Sequence, residues 1–341
     1  MPQKSLLIDD AAFDRHEPLG YHPERPERLA AARAAVGSAK VAWERLPSRE
    51  ASEDVLARVH EARFVESLDK LRGKKGMLDP DTYVSERSID AAKRAAGGAA
   101  DMTAAIIAGE ATSGVALLRP PGHHARPAHA MGFCLINNVA VAAAEARARG
   151  LDRVAIVDFD VHHGNGTQEM FYRDPHVLYV SLHQFPFYPG TGAAEEIGEG
   201  DGTGFTVNVP LFANGGDAVY RAAFDRIVSP VLAEYAPDLV LVSAGYDAAS
   251  RDPLAEMTVS PKGYGFMMQK LALQARQSAK GRIGVVLEGG YDLVALESGL
   301  GEGMRAMFED ATFDADIPAL TVNAPDIEHA ARVAKQHWKL P

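Results

Sequence analysis

Cysteine and long apolar runs are both scarce in this chain. Among 341 residues only Cys134 is a cysteine, so a disulfide cannot form within the chain, and a reducing, cytoplasmic location is expected. The apolar run near the start is too short for a signal peptide, and no later run reaches the length of a membrane span. Secretion and membrane insertion are therefore not expected.

Positively charged residues are fewer than negatively charged ones. The chain has 35 Lys and Arg residues against 46 Asp and Glu, a net charge of -11. This balance argues against a protein that binds the phosphate backbone of nucleic acids, and it suits a cationic substrate only weakly. Repeats and low-complexity linkers are also missing from the sequence. With 47% apolar residues, the chain has enough material for the core of one large α/β domain.

Short apolar runs rich in β-branched residues alternate with helical patterns along the chain. This alternation predicts a parallel α/β sheet. The predicted strands are residues 6–8, 115–118, 154–157, 177–180, 206–209, 238–244 and 283–287. Helices are expected at about 28–38, 52–72, 85–109, from 137, 168–172, 217–235 and 326–335. Ligands of such sheets collect at the carboxyl ends of the strands, so the residues after each strand are candidates for a site.

Metal-binding residue types follow two of these strands. Asp160 and His162 are two residues apart, so in extended backbone they point to one face, with Asp158 deeper on the same face. Isolated Asp-x-His pairs are usually without function, but this one ends an apolar strand. Asp247 follows the strand 238–244. Two carboxylates and one imidazole with an open position are typical of a catalytic divalent metal, most often zinc.

Groups suited to proton transfer follow two further strands. His123 and His124 lie in a Pro-Gly turn, where both side chains can converge on one point, although a solvated pair is the alternative. Tyr291 follows a Glu-Gly-Gly turn and can donate a hydrogen bond to a developing oxyanion. Phe133 suits either the core or the wall of a pocket. Cys134 is expected to be a small buried hydrophobe, and His60 a structural histidine.

Four separated segments carry a resemblance to a known family. They are residues 119–124, 158–167, 243–254 and 288–291. In order and content they resemble the zinc-dependent histone deacetylase family, which includes bacterial acetylpolyamine amidohydrolases. The resemblance runs from about residue 15 to 310 and implies an arginase–deacetylase fold, a parallel eight-stranded sheet flanked by helices on both faces. It implies a single deacetylase domain over 1–341, with a C-terminal extension from about 312.

The resemblance also implies roles for the residues at the strand ends. One zinc per chain is expected on Asp160, His162 and Asp247, with Tyr291 polarising the carbonyl. The histidines His123 and His124 are implied as general acid and base, supported by Asp158 and Asn165 respectively. A structural potassium is implied at a site formed by backbone and side-chain oxygens of Asp158, Asp160, His162, Ser181 and Leu182.

Further positions match the tunnel that receives the acyl-lysine in this family. Gly132 and Phe133 correspond to one wall. Tyr188 stands where many relatives have the opposing phenylalanine, which leaves the acyl preference open. Asp81 corresponds to a rim acid that holds a peptide backbone, and Leu254 to a gatekeeper position that is a glutamate in some polyamine-specialised relatives. Arg28 matches the arginine of an internal exit channel.

The implied activity is the hydrolysis of an N-acetylated amine to acetate and a free amine. The apolar Leu254 favours acetylated lysine in a peptide or protein over an acetylated polyamine, which remains the alternative substrate. An arginase-like two-manganese hydrolase and a non-catalytic acyl-ligand or metal-binding module are the alternatives of other classes. Nucleic-acid and membrane partners are not expected. The oligomeric state is open, with a homo-oligomer among the options.

Overall fold

The fold is known from a computed structural model, which describes residues 4–309 and 311–341. Within this part, eight strands form the main sheet and two more form a small hairpin. The strands are β1 Ser5–Ile8, β2 Trp43–Leu46, β3 Gly76–Met77, β4 Tyr83–Val84, β5 Ser113–Ala116, β6 Val154–Asp158, β7 Val177–Gln184, β8 Thr206–Leu211, β9 Leu239–Ala244 and β10 Ile283–Leu287.

The main sheet has the order β2-β1-β5-β10-β9-β6-β7-β8. Every pair of neighbours in it is parallel, which confirms the predicted parallel eight-stranded sheet. The central strands are buried along their whole length, because helices cover them, and this explains why they appear in the sequence as continuous apolar runs.

Helices flank the sheet in two groups, one in which α4 packs against α5 and one in which α10 packs against α1 and α9. Their bounds are α1 Glu27–Ser38, α2 Glu53–Leu56, α3 Ala62–Asp69, α4 Ser88–Ala108, α5 Asn138–Ala148, α6 Asn165–Phe171, α7 Asp217–Ala223, α8 Ser229–Tyr235, α9 Pro261–Ser278, α10 Leu293–Phe308 and α11 Pro325–Ala334. A π-helical turn, Phe224–Val228, joins α7 to α8. Among the described residues, none of the helices is both long and apolar enough to cross a membrane.

The topology brings four distant segments to one edge of the sheet. β5, β10, β9 and β6 are consecutive neighbours, although they come from residues 113 to 287 of the sequence. Their carboxyl ends lead into the segments 119–124, 288–291, 245–247 and 158–162. This is why the four motifs of the sequence meet in one place.

The prediction of one helix over 52–72 was wrong. α2 and α3 are separate, because the backbone between them turns to bond with another loop. Glu61 N–H donates to the Pro127 carbonyl at 2.8 Å, and the buried His60 ring lies 3.1 Å from the Arg126 carbonyl and accepts the Asn137 N–H at 3.0 Å. His60 thus has a structural role at this junction. The elements β2, α9 and α10 were not among the predicted ones.

The segment predicted as a C-terminal extension packs against the edge of the sheet. α11 contacts β8, and the indole N–H of Trp338 donates to the Gly204 carbonyl at 2.9 Å. The Trp338 ring packs edge-on against Phe205 and Tyr235. The division into a core and an extension stays a prediction.

Candidate active site

Three ligand-type side chains converge at the carboxyl ends of β6 and β9. The ligand atoms of Asp160, His162 and Asp247 all lie within 4.8 Å of one another, and the three residues are buried. His162 Nδ1 is 3.3 Å from Asp160 Oδ1 and 3.1 Å from Asp247 Oδ2. The backbone fixes the other oxygens, since Gly289 N–H donates to Asp160 Oδ2 at 2.8 Å and Val161 N–H to Asp247 Oδ1 at 3.0 Å.

The electrostatics of this cluster favour a cation. Burial, and then the nearby charge of Asp160, raise the pKa of Asp247 to about 7. Two carboxylates this close in a buried place are costly unless a positive charge lies between them. Two carboxylate oxygens and one imidazole nitrogen are a donor set that suits a divalent metal such as zinc. The residues therefore fit the metal that the resemblance implies.

His123 lies beside the cluster and is tied to Asp158. Its Nδ1 lies 3.1 Å from Asp158 Oδ2, which also accepts the Tyr179 hydroxyl at 3.2 Å. Because a carboxylate only accepts, His123 Nδ1 carries the proton in this bond. Burial opposes a charge on this ring, but Asp160 and Asp158 outweigh it and raise the pKa of His123 to about 10.

His124 has a different partner. Its Nδ1 lies 2.8 Å from the amide oxygen of Asn165, whose amide nitrogen faces the Met131 sulfur at 3.4 Å. The amide oxygen only accepts, so His124 Nδ1 donates and its Nε2 is free to take a proton. Burial, and then the charge of His123, hold the pKa of His124 well below its ordinary value. At neutral pH His123 is therefore expected to be protonated and His124 to be neutral.

Tyr291 follows β10 and lines the same cavity as His124. Its side chain is buried, and the Phe133 ring meets it edge-on at 5.6 Å. The guanidinium of Arg28 lies 4.9 Å from the centre of the Tyr291 ring. The turn before it passes through Gly290 at a φ of 113°, a conformation that favours glycine.

Two buried acids that the sequence analysis did not assign support these groups. Glu288 accepts the N–H of Gly122 at 2.6 Å and of His123 at 3.1 Å, so it holds the turn that carries the histidines. Glu24 accepts two hydrogen bonds from Arg119, at 2.5 and 2.7 Å, and a third from Arg28 at 3.0 Å. No local pattern reveals such pairs, since the partners lie up to 166 residues apart.

A cavity of about 160 Å³ opens over the Asp160–His162–Asp247 cluster. It is lined by Asp81, His124, Gly132, Phe133, His162, Phe187, Tyr188, Leu254 and Tyr291. The five residues predicted to contact substrate are all among them. Phe187 was not predicted, and its ring stacks on His162 at 5.6 Å. Its signal in the sequence was the aromatic loop 185–188, within which the resemblance pointed only to Tyr188.

The rim of this cavity is held by a histidine. The His22 ring lies 3.1 Å from the Asp81 carbonyl through Nε2 and meets the Phe133 ring edge-on at 4.7 Å. Tyr188 lies on the other side, edge-on to His124 at 5.2 Å, and is 38% exposed. Asp81 and Tyr188 therefore lie at the mouth, where each can meet the part of a substrate that stays outside.

A larger groove of about 850 Å³ lies behind the same walls. Its lining includes Met131, Asn165, Pro189 and Thr191. Met131 precedes Gly132 and Pro189 follows Tyr188, so the same two loops line the groove on one side and the cavity on the other. The groove and the cavity thus share these two loops, but they have no lining residue in common.

The residues expected around potassium lie next to each other. Asp158 and Ser181 are paired in the register of β6 and β7, and Leu182 follows Ser181 in β7. The Ser181 hydroxyl lies 2.9 Å from Nδ1 of His183. The potassium site and the individual roles of the site residues stay predictions.

The model of the family described as the histone deacetylase domain matches residues 22–307 of this chain. The chain belongs to the histone deacetylase family. Its membership supports deacetylase activity, and the similarity extends to a solved structure, the crystal structure of the HDA15 HD domain. That structure has a TM-score of 0.90 and 38% identity, and the match covers 98% of this chain and 95% of the other. The sheet is therefore that of the arginase–deacetylase fold.

Several family members share much of the sequence. Histone deacetylase 15 of Arabidopsis thaliana is 47% identical over 81% of this chain and 51% of its own length. A protein named probable deacetylase, from Archaeoglobus fulgidus, is 37% identical over 98% of both chains. The histone deacetylase-like amidohydrolase of Pseudomonas aeruginosa is 45% identical over 71% of this chain. The chain thus spans about half of the plant relative and almost all of the archaeal one.

Proposed function

We propose that this chain is a zinc-dependent amidohydrolase that removes acetyl groups from acetylated lysine side chains, releasing acetate and the free amine. One observation supports this proposal most directly. The buried Asp160–His162–Asp247 cluster lies at the bottom of a narrow cavity whose wall also contains His124 and Tyr291. A metal site, a base and a hydrogen-bond donor thus surround the place where an acetyl group would lie.

The zinc would be held by Asp160, His162 and Asp247. When bound there, it would supply Lewis acidity to the acetyl carbonyl and to the attacking water. A structural potassium near Asp158 and Ser181 belongs to the same proposal. The remaining steps depend on the chain's own side chains.

The walls of the cavity bind the acyl-lysine. Phe133, Phe187 and Leu254 present apolar surface to the methylene groups of the lysine stem, and burial of each methylene contributes about 0.8 kcal/mol. The same walls exclude bulk water from the reacting bond. Tyr188 adds a hydroxyl near the mouth.

His124 is the group placed to take a proton from water. His124 is one of the residues that line the cavity, and His123 is not. The Nε2 of His124 is free because its Nδ1 is hydrogen-bonded to Asn165. His123 keeps the proton on Nδ1 toward Asp158 and, because its pKa is raised to about 10, carries a second proton on Nε2. It supplies positive charge beside the reaction, and the Nε2 proton passes to the leaving amine. The Tyr291 hydroxyl donates a hydrogen bond to the oxyanion that develops on the acetyl oxygen.

The surroundings of the mouth favour a peptide over a small amine. Leu254 gives a second ammonium group of a polyamine no acid to pair with at this position. Acetylated lysine in a peptide or protein is therefore the proposed substrate class.

The test is the catalytic efficiency of the zinc-loaded protein on a matched panel. Acetyl-lysine peptides and acetyl-lysine aminocoumarin amides are compared with acetylspermidine and acetylputrescine. The proposal expects kcat/KM to be highest for the lysine substrates. A preference for acetylpolyamines of about tenfold or more, or about 1.4 kcal/mol, would assign the chain to the polyamine branch. Absence of hydrolysis in the whole panel would favour a binding module.

A further inference from the structure

The carboxylate of Asp252 joins two loops of the candidate active site. Asp252 is 6% exposed and accepts three backbone N–H groups. Oδ1 accepts from Leu254 at 3.0 Å, while Oδ2 accepts from Tyr291 at 2.6 Å and from Asp292 at 3.0 Å. Since Leu254 and Tyr291 both line the cavity, one buried side chain fixes the backbone at two points of its wall.

The position of this carboxylate follows from the sheet. Asp252 belongs to the loop after β9, and Tyr291 to the turn after β10, and the two strands are neighbours. Their following loops therefore leave the sheet side by side. Asp252 itself is held in a turn, because its N–H donates to the Ala249 carbonyl at 3.0 Å.

The turn that carries Tyr291 depends on contacts from outside itself. Gly290 has a φ of 113°, and its carbonyl accepts a hydrogen bond from Arg28 Nε at 2.6 Å. Gly289 N–H is held by Asp160 at 2.8 Å. The next N–H groups, of Tyr291 and Asp292, are the ones that Asp252 accepts. Because two glycines leave the backbone many alternatives, these hydrogen bonds determine where the phenol lies.

The hydrogen bonds that Asp252 accepts are stronger than those between neutral groups. A carboxylate that accepts backbone N–H groups makes charge-assisted hydrogen bonds, and burial removes the competition of water. If the carboxylate is removed, the N–H groups of Tyr291 and Asp292 lose their acceptor in a buried place, which favours a shift of the turn.

We propose that Asp252 is a positioning residue for Tyr291, and that it sets the distance between Tyr291 and Leu254 across the cavity. It does not touch the substrate and acts only through the backbone N–H groups that it accepts. The inference rests on the proposed function for the role of Tyr291 in holding the oxyanion.

A double-mutant cycle with Tyr291→Phe tests this coupling. In otherwise unchanged enzyme, Asp252→Ala should lower kcat on an acetyl-lysine substrate by about tenfold or more, with KM changed far less. In the Tyr291→Phe background the same change should lower kcat by less than about twofold, because the phenol is already lost. Asp252→Asn keeps one oxygen acceptor and should recover part of the loss. Equal losses in both backgrounds would overturn the proposal.

Arg251→Ala is the matched control. Arg251 pairs with the Asp292 side chain at 3.2 Å and bridges the same two loops from the solvent side, where an ion pair contributes little. Its replacement should leave kcat, KM and metal content unchanged. If Arg251→Ala lowers kcat as much as Asp252→Ala does, the effect belongs to the loops in general and the proposal fails.

Hydrogen exchange separates this proposal from the proposed function. In Asp252→Asn and Asp252→Ala, the amides of Tyr291 and Asp292 should exchange about tenfold faster than in the wild type, and in Arg251→Ala they should not. Hydrogen exchange can be measured without any activity. If the wild-type enzyme is inactive, the proposed function is contradicted, and the exchange rates still test whether Asp252 holds the turn. Unchanged exchange in both Asp252 variants would overturn the positioning role. If Asp252→Ala fails to fold, Asp252→Asn carries both measurements.

Discussion

Asp247 contributes a carboxylate to the Asp160–His162–Asp247 cluster but little to the core of the sheet. We expect Asp247→Ala to lose the bound divalent metal and all measurable activity while the protein stays folded, because the strands before it are held by apolar packing. Elemental analysis and circular dichroism check this. Asp152→Ala, at a largely exposed acid, is the control and should keep one metal per chain. Two tightly bound metals in the wild type would instead support the arginase-like alternative.

Tyr291 and Tyr246 form a matched pair of buried tyrosines. Tyr291→Phe should reduce turnover by about a hundredfold or more with unchanged zinc content, because it removes one donor to the oxyanion. Tyr246→Phe should leave turnover near normal, since the Tyr246 hydroxyl has no hydrogen-bond partner among the described residues. Steady-state kinetics on an acetyl-lysine reporter measure both. Near-normal turnover of Tyr291→Phe would remove this residue from the mechanism.

Leu254 is the residue at the mouth that bears on substrate choice. Leu254→Glu places an acid where a second ammonium group of a polyamine can reach it, so we expect the ratio of kcat/KM for acetylspermidine over an acetyl-lysine peptide to rise. Leu273→Glu makes the same change on the exposed surface of α9 and should leave the ratio alone. An equal rise in both variants would point to general attraction by the net charge of the protein.

The convergence of Asp160, His162 and Asp247 could be predicted because each follows a strand within a few residues. Asp160, His162 and Asp247 carry local signals of that kind, and the resemblance supplied roles for His123, His124 and Tyr291. The groups that hold them in place could not be predicted. Glu288 and Asp252 act on backbone N–H groups of other loops, and Arg119 meets Glu24 across 95 residues. Such partners depend on tertiary structure that the local sequence does not encode.

At the level of whole elements, α4 shows how close packing depends on glycine. A methyl group at Gly97 would overlap the backbone carbonyl of Arg49, whereas Gly37 of α1 has nothing within 4 Å. Gly97→Ala should therefore destabilise the protein by about 2 kcal/mol or more, and Gly37→Ala should stabilise it by up to about 1 kcal/mol. Urea unfolding of both variants measures this. A neutral Gly97→Ala would mean that the segment next to α4 moves freely.

The elements that could be predicted are those with a strong local pattern. The central strands appear in the sequence as apolar runs because both of their faces are covered, and α1 begins at Glu27, one residue before the predicted start at about 28. The edge strand β2 was not predicted because it is only four residues long, and two of them, Glu44 and Arg45, are charged. The sequence does indicate the start of α9, since Ser260 is its N-cap and Pro261 follows, although α9 was not among the predicted helices. The break between α2 and α3 had none, because the contacts of His60 that cause it lie in another loop.

For the molecule as a whole, buried histidines predict how stability depends on pH. Burial lowers the pKa of His16 to about 3 and of His60 to about 4, from 6.5 in the unfolded chain. Below pH 6.5 the unfolded chain therefore binds protons that the folded protein does not take up until pH 3 to 4. The contribution of each of these histidines to the free energy of unfolding should therefore fall as the pH drops through this window, by about 1.4 kcal/mol per pH unit at most. In the metal-free protein Asp247, whose pKa is raised to about 7, contributes a slope of the opposite sign.

Urea unfolding of the metal-free protein between about pH 7 and about pH 5 measures this slope. His60→Gln should be less stable at neutral pH but should show a shallower slope, because one of the titrating groups is gone. His129→Gln, at an exposed histidine, should keep the slope of the wild type. An unchanged slope in His60→Gln would contradict the assignment of this pH dependence to His60.

The place of β10 in the sheet has a consequence for synthesis on the ribosome. β10 is the last strand to be made, yet it lies between β5 and β9 at the centre of the sheet. A nascent chain that has not yet released residue 287 lacks the strand that joins the two halves, and it exposes the apolar edges of β5 and β9. We therefore expect the early strands to stay separate, or to be shielded by a chaperone, until β10 at Ile283–Leu287 emerges. The active site is then among the last parts of the protein to form, because the turn with Tyr291 arrives with β10.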